Sequence, residues 1–112
     1  MKRILVVDDH KNLLKLYKME LEEEGYVVDI LSNYERVPSA IENHQYDLLV
    51  IEIMRSQIAN SLHELSWLGN RLPVIINTTH MESLPIQPAP EAWVEKSSDL
   101  SELKKSVKNT LK

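Results

Sequence analysis

Short apolar runs that end in carboxylates constrain the fold of this chain more than any other feature of its sequence. Residues 4–7 run directly into Asp8 and Asp9. Residues 48–51 run into Glu52 in the same way. Continuous runs of Val, Ile and Leu are typical of parallel strands that are covered on both faces. Because ligand chemistry in open α/β sheets gathers beyond the carboxyl ends of the strands, we expect these three carboxylates to meet at one edge of a sheet.

Two later apolar runs end in other polar groups. Residues 73–76 are followed by the polar stretch 77–79, which contains Thr78. Residues 92–95 are followed by Lys96. If all four runs are neighbouring strands, one edge of the sheet collects carboxylates, a hydroxyl and an amine.

The first half of the chain also contains helical patterns. Residues 11–24 carry apolar side chains at helical spacing, and Gly25 is suited to the left-handed position that follows a helix. A second strand is predicted at residues 26–31. The Ser-Asn pair at 32–33 offers cap chemistry before a short helix that has Pro38 in its first turn.

In the second half of the chain, the sequence predicts two further helices and one interruption of the alternation of strands and helices. Residues 58–68 form an amphipathic pattern that Gly69 ends. The last helix is expected to begin near Asp99, where Asp99 and Glu102 have the spacing of a capping box. The stretch 80–90 contains three prolines, each of which removes a backbone donor. They are Pro85, Pro88 and Pro90. The fourth helix of the alternation should therefore be short or absent.

Alternating strands and helices predict an α/β fold, a single doubly wound sheet of five parallel strands with helices on both faces. A chain of 112 residues is near the commonest domain length and buries enough surface for one core. We therefore expect a single domain over residues 1–112, without an output domain.

Composition excludes several classes of protein. The chain has 13 basic and 17 acidic residues, a net charge of −4 and no basic stripe, which opposes direct nucleic-acid binding. It has no cysteine for disulfide or thiolate chemistry. Surface or capping positions are expected for the four histidines, His10, His44, His63 and His80. No apolar stretch approaches the ~18 residues of a membrane span, and no signal peptide precedes the first strand. We expect a cytoplasmic protein that does not bind membranes.

The residues at the strand ends resemble those of the receiver domain of bacterial two-component response regulators, and the resemblance covers residues 2–111. In that family an acidic pair ends the first strand, a Thr or Ser ends the fourth, and a Lys ends the fifth. The matching residues here are Asp8, Asp9, Thr78 and Lys96. The resemblance implies a flavodoxin-like fold with strand order 2-1-3-4-5 and a role in a signalling phosphorelay.

The phosphoacceptor position departs from the family. In receivers, an aspartate near the end of the third strand accepts a phosphoryl group from a histidine kinase. Residues 47–54 (Asp-Leu-Leu-Val-Ile-Glu-Ile-Met) align with the family's pattern and place Glu52 at that position. Ser56 and Ser97 replace two prolines that are usual in the family, and without the second proline we expect a trans bond before Ser97. The chain thus resembles an atypical receiver, or pseudo-receiver.

The resemblance also implies roles for the residues around this position. The metal position of the family corresponds to Asp8, Asp9, Glu52 and the backbone carbonyl of Met54. Magnesium demands near-ideal octahedral geometry, so the longer Glu52 side chain should make its binding weak, and no other cofactor is expected. Lys96 would bind phosphoryl oxygens, and Thr78 would act with Trp93 as a switch. Packing beside the shortened fourth helix explains Trp93 equally well.

The extra methylene of Glu52 has chemical consequences. It moves the carboxylate into space that a metal or an incoming phosphoryl group would use, and near-attack alignment tolerates little displacement. Phosphotransfer should therefore fail or be slow. The same reach would bring the carboxylate against Lys96 or Thr78, which imitates the charge of a phosphoaspartate. The alternative is a degenerate site in which Glu52 only packs and pairs with Lys96.

The leading hypothesis is a receiver that acts through protein contacts with its phosphorylation switch lost or fixed, a binding module and not an enzyme. One alternative is a receiver that retains magnesium-dependent phosphoryl acceptance. Another is a dimerisation module excised from a longer transcription regulator or hybrid kinase. The expected partner is a histidine kinase, an output protein or a second copy in a homodimer. We place the contact at residues 84–93 and the outer face of the last helix, because the prolines would leave Ile86 and Trp93 partly uncovered.

Overall fold

The computed structural model describes residues 1–53, 58–79, 85–97 and 99–112, and the side chains of 58–63 are not described. The strands are β1 (Arg3–Val7), β2 (Val27–Leu31), β3 (Leu48–Ile51), β4 (Val74–Thr78) and β5 (Ala92–Glu95). They form one sheet in the order β2-β1-β3-β4-β5, and every neighbouring pair is parallel. The predicted α/β fold and its strand order are confirmed.

Helices connect these strands on both sides of the sheet. They are α1 (Lys11–Glu23), α2 (Val37–Asn43), α3 (Ile58–Gly69) and α4 (Ser101–Thr110), and a 3₁₀ turn at Tyr34–Arg36 precedes α2. Between β4 and β5 the structure describes Thr79 and residues 85–91, which form no helix. This agrees with the prediction that the helix at this place is short or absent. Within the described ranges, no helix has the length and apolar character needed to cross a membrane.

The core consists of two apolar clusters, one on each face of the sheet. Ile4 and Val6 of β1 lie in the cluster that contains residues of α1 and α4. Leu5 and Val7 lie in the cluster that contains residues of α2 and α3. All four side chains are at most 2% exposed. Burial on both faces explains why the central strands are continuous apolar runs, and the predicted core strands β1, β3 and β4 are confirmed.

The start of α4 differs from the predicted capping box. The helix begins at Ser101, and the residue before it, Leu100, makes no side-chain cap. Asp99 Oδ1 accepts hydrogen bonds from the Ser101 amide at 2.9 Å and from the Ser101 hydroxyl at 2.6 Å. The Asp99 carboxylate therefore closes a local turn with the residue two positions on, a geometry that short acidic side chains favour. The prediction of a capping box between Asp99 and Glu102 was wrong.

The proline-rich segment buries the residue that was expected to be partly uncovered. Ile86 is only 4% exposed and packs in the cluster with α2 and α3. The Ser66 hydroxyl donates to the Gln87 carbonyl, and a Cβ atom at Gly69 would lie 3.1 Å from Pro88 Cγ. The segment thus lies close against the end of α3. This packing leaves Ile86 buried. Trp93 is half-buried in the same cluster.

Two backbone expectations can be compared with the structure. Gly25 has φ of +98°, the left-handed conformation predicted for the residue after α1. The bond before Ser97 is not cis, as expected, and the cis bond in the described residues is Gln87–Pro88.

Replacement of Gly25 by Ala should lower the free energy of unfolding by about 1–2 kcal/mol, because a Cβ atom disfavours positive φ. A Cβ atom there would meet no other atom within 4 Å, so the cost lies in the backbone alone. Gly25→Asn should lose less, since Asn tolerates this region. Urea denaturation measures both variants. Equal losses for Ala and Asn would contradict this account.

Candidate functional site

Four polar side chains lie at the carboxyl ends of neighbouring strands. Asp8 follows β1, Glu52 follows β3, Thr78 is the last residue of β4, and Lys96 follows β5. Thr78 and Asp8 are 1% exposed, and Glu52 is 7% exposed. The Lys96 amide donates to the Thr78 carbonyl at 2.7 Å, which extends the β4–β5 pairing to the site. The sequence pattern and the parallel topology thus bring these residues to one edge of the sheet. Ligand sites of open α/β sheets lie at this edge, beyond the carboxyl ends of the strands.

The Lys96 ammonium lies between the two buried carboxylates. Its Nζ atom is 2.6 Å from Glu52 Oε2 and 2.7 Å from Asp8 Oδ2. The Lys96 side chain is only 7% exposed. The contact with Glu52 is a hydrogen bond, whereas Asp8 Oδ2 has no hydrogen-bond partner among the described residues and meets Lys96 as an ion pair. One cation therefore pairs with two carboxylates at the centre of the site and offsets part of their charge.

Burial and this shared cation shift the pKa values in the site. Burial raises the pKa of Glu52, and the neighbouring Asp8 adds to this increase against the opposing effect of Lys96. Burial would also raise the pKa of Asp8, but Lys96 and the His10 amide outweigh it and hold that pKa below its usual range. Burial would lower the pKa of Lys96, but the two carboxylates outweigh it and raise that pKa. Lys96 therefore remains a cation.

His10 is a residue of the site that the sequence interpretation missed. Its backbone N–H donates to Asp8 Oδ1 at 2.8 Å, and its Nδ1 lies 2.9 Å from both Asp8 Oδ1 and Asp9 Oδ1. The hydrogen bond with Asp8 raises the pKa of His10, Lys96 opposes this, and Asp9 adds to it. Its side chain is 59% exposed, so it lies at the mouth of the site. The signal was its position two residues after Asp8, where the backbone turns into α1.

Two tyrosines connect the site to the helices around it. The buried Asn77 amide, at the end of β4, donates to the Tyr17 hydroxyl of α1 at 3.2 Å. The Tyr34 hydroxyl, from the turn before α2, donates to the Glu52 carbonyl at 3.0 Å. Neither tyrosine was singled out from the sequence for the site, because both contacts join segments that are far apart in the chain.

The donor set is compatible with a divalent cation. Oxygen atoms of Asp8, Asp9 and Glu52 and a nitrogen atom of His10 lie within 4.8 Å of one another. Carboxylate oxygens suit magnesium. Asp9 has a side chain that is 41% exposed, whereas Asp8 and Glu52 already contact Lys96. Met54, whose carbonyl was expected to join them, lies outside the described residues.

Replacement of Lys96 by Met should destabilise the fold by about 3–5 kcal/mol at neutral pH, because two buried carboxylates lose their counterion. The deficit should shrink as the pH is lowered, since protonated carboxyls no longer repel each other. Lys104→Met is the matched control, because Lys104 pairs with Glu20 at 2.8 Å but both side chains are 29% exposed. The control should lose clearly less. Denaturation curves with equal losses for both variants would refute the central role of Lys96.

Comparisons with known proteins agree with this geometry. A family model described as the response regulator receiver domain matches residues 4–108. The response regulator ArlR of Staphylococcus saprophyticus is 30% identical over 121 residues, which cover 100% of this chain and 53% of that protein. The chain thus spans about half the length of the curated relatives it matches along its whole length.

Solved structures give the same result. The response regulator TrrA of Thermotoga maritima, crystallised in complex with Mg²⁺-BeF, is 35% identical with a TM-score of 0.85, and the match covers 99% of this chain and 100% of TrrA. A crystal structure of the histidine kinase ThkA in complex with TrrA matches with 34% identity and a TM-score of 0.80, over 100% of both chains. The chain belongs to the response regulator receiver domain family.

Proposed function

We propose that this receiver domain acts through protein contacts while its phosphorylation switch is lost or fixed by Glu52, which takes the place of the acceptor aspartate. The observation that carries the proposal is the buried contact of 2.6 Å between Glu52 Oε2 and Lys96 Nζ. A carboxylate must be free and aligned to attack a phosphoryl group, and alignment tolerates little displacement. Here the carboxylate is longer by one methylene and is bound to the cation that would receive the phosphoryl oxygens.

The same contact supports a fixed electrostatic state. Lys96 already meets an anion that extends from the end of β3, so it does not need a phosphoryl group for charge balance. Asp8 meets the same ammonium at 2.7 Å. The negative charge that phosphorylation would deliver near Lys96 is thus present in the folded chain from the start. Thr78 and Trp93, the proposed switch residues, would then stay in one arrangement.

Under the proposal, this site binds magnesium only weakly. Asp8 and Asp9 would hold it, and when bound it would neutralise carboxylate and phosphoryl oxygens. The Lys96 ammonium competes for Asp8, and His10 lies against Asp9. Glu52 is bound to Lys96, so the ammonium also competes with a metal for the third carboxylate.

The proposed partners are proteins, namely a histidine kinase, an output protein or a second copy of this chain. TrrA, which is similar over its full length, forms a complex with the histidine kinase ThkA. We propose that the contact surface comprises the exposed part of residues 85–93 and the outer face of α4, and that its use does not depend on a phosphodonor. Direct nucleic-acid or membrane contacts are not part of the proposal, and the single-domain organisation and the cytoplasmic location remain predictions.

Incubation with a small phosphodonor and magnesium should add no phosphoryl mass to the wild type, because Glu52 is displaced and bound to Lys96. Glu52→Asp shortens the side chain and should restore some acceptance, whereas Glu52→Gln is the matched control that removes the nucleophile. Intact-mass spectrometry measures all three proteins. An acyl phosphate on the wild type would overturn the proposal and indicate a receiver that retains phosphoryl acceptance.

Magnesium should bind the wild type more weakly than it binds Glu52→Asp, since a shorter third carboxylate allows the octahedral arrangement that the ion demands. Isothermal titration calorimetry measures the difference, with Asp9→Asn as the variant that should lose the remaining affinity. Micromolar affinity in the wild type would contradict the expectation.

A further inference from the structure

A single tyrosine hydroxyl reaches the exit of β3 from another connection of the chain. Tyr34 follows β2, which β1 separates from β3 in the sheet. Its hydroxyl donates to the Glu52 carbonyl at 3.0 Å. Burial, together with the negative charges of Glu52 and Asp8, raises the pKa of Tyr34 well above its usual value. The hydroxyl therefore keeps its proton and remains a hydrogen-bond donor.

Local structure holds Tyr34 in place. The Asn33 side chain accepts a hydrogen bond from the Glu35 amide at 3.0 Å and so caps the 3₁₀ turn that begins with Tyr34. Val37, at the other end of this turn, is fully buried. The Tyr34 ring packs against the same apolar cluster. The capped turn and the packed ring thus hold the Tyr34 hydroxyl in place. Its hydrogen bond can therefore position the Glu52 carbonyl that accepts it.

The backbone of Glu52 is bound on both sides. Its N–H donates to the Val7 carbonyl at 3.1 Å, and its carbonyl accepts from Tyr34. With both peptide groups bound, the direction of the Cα–Cβ bond of Glu52 is set, which determines where its side chain starts. The carboxylate then reaches Lys96 at 2.6 Å.

The packing around Glu52 is not complete. A cavity of about 30 Å³ lies beside it, large enough for one or two water molecules. The cavity is lined by Tyr34, Glu52, Glu64 and the apolar residues Ile51, Ile53, Leu65 and Leu68. Glu64 is a second carboxyl group at this cavity, and burial raises its pKa. Glu52 therefore borders free space, so the contact of its carboxylate with Lys96 depends on where the backbone places the residue.

We infer that Tyr34 is a positioning residue, whose hydroxyl fixes the backbone at the exit of β3 and thereby holds the Glu52 carboxylate against Lys96. The inference deepens the proposed function, because it names the residue that keeps the altered acceptor position in its fixed state. Tyr34 acts through Glu52, whose carbonyl accepts its hydrogen bond.

The test compares Tyr34→Phe with Tyr46→Phe. Tyr46 is the matched control, because its hydroxyl also makes one partly buried hydrogen bond, to Asp29 Oδ2 at 2.7 Å, away from the site. NMR measures the exchange of the Lys96 ammonium protons with water, which is slow while the ammonium is buried and bound. Tyr34→Phe should accelerate this exchange about tenfold, as local opening of the ion pair would. Tyr46→Phe should leave it unchanged, although both variants lose thermal stability.

A second arm uses Glu52→Gln, in which the ion pair between residue 52 and Lys96 is already removed while Asp8 still pairs with Lys96. Adding Tyr34→Phe to this variant should not change the Lys96 exchange further. Unchanged exchange in Tyr34→Phe alone, or equal acceleration by Tyr46→Phe, would overturn the inference and leave Tyr34 a structural residue. The measurement needs no phosphodonor, so phosphoryl acceptance by the wild type would refute the proposed function and leave this inference standing.

Discussion

The buried Lys96 ammonium is the interaction on which the rest of the site depends. Parallel topology forces Asp8 and Glu52 to the same edge of the sheet, where both are nearly inaccessible to water. Two carboxylates about 4 Å apart would repel each other by about 4 kcal/mol at an effective dielectric constant of 20. A cation is therefore required for both to be ionised. Lys96 supplies it from within the chain, at 2.6 and 2.7 Å.

This internal cation changes what the edge of the sheet can bind. A magnesium ion carries more charge than an ammonium, but it must lose part of its hydration and find near-octahedral ligands. Lys96 is covalently attached and already in contact, so it competes at no cost in translational entropy. The outer part of the site, with Asp9 and His10, remains accessible from solvent. The site is thus divided into a closed inner ion pair and an open acidic mouth.

The strand ends were predictable because strands that are buried on both faces are continuous apolar runs in the sequence. Each central strand is a run of Val, Ile and Leu, and the first polar residue after it marks the edge where a site forms. Asp8 and Glu52 were identified in this way. Whether the Glu52 carboxylate would contact Lys96 or Thr78 was left open, since that choice depends on a side-chain direction. Sequence periodicity contains no such information.

The features that were missed depend on contacts between distant segments. Ile86 is buried because the proline-rich segment lies against Gly69 at the end of α3, a close approach that no local pattern indicates. His10 enters the site through a turn that Asp8 closes with its own side chain. Before α4, Asp99 accepts a hydrogen bond from the Ser101 amide in a local turn, and this turn replaces the capping box. Tertiary contact and competing turn chemistry account for these differences.

A buried ion pair such as Glu52–Lys96 adds little net stability compared with well-packed apolar residues. Apolar residues of similar volume often replace such pairs without loss, whereas removal of one partner is costly. Stability alone therefore gives no reason to place two carboxylates and an ammonium under one edge of the sheet. Under the proposed function, the arrangement is the charge layout of a receiver whose acceptor side chain is longer by one methylene. In that proposal the added methylene lets the Glu52 carboxylate reach Lys96 at 2.6 Å, where it acts as a counterion and not as a nucleophile.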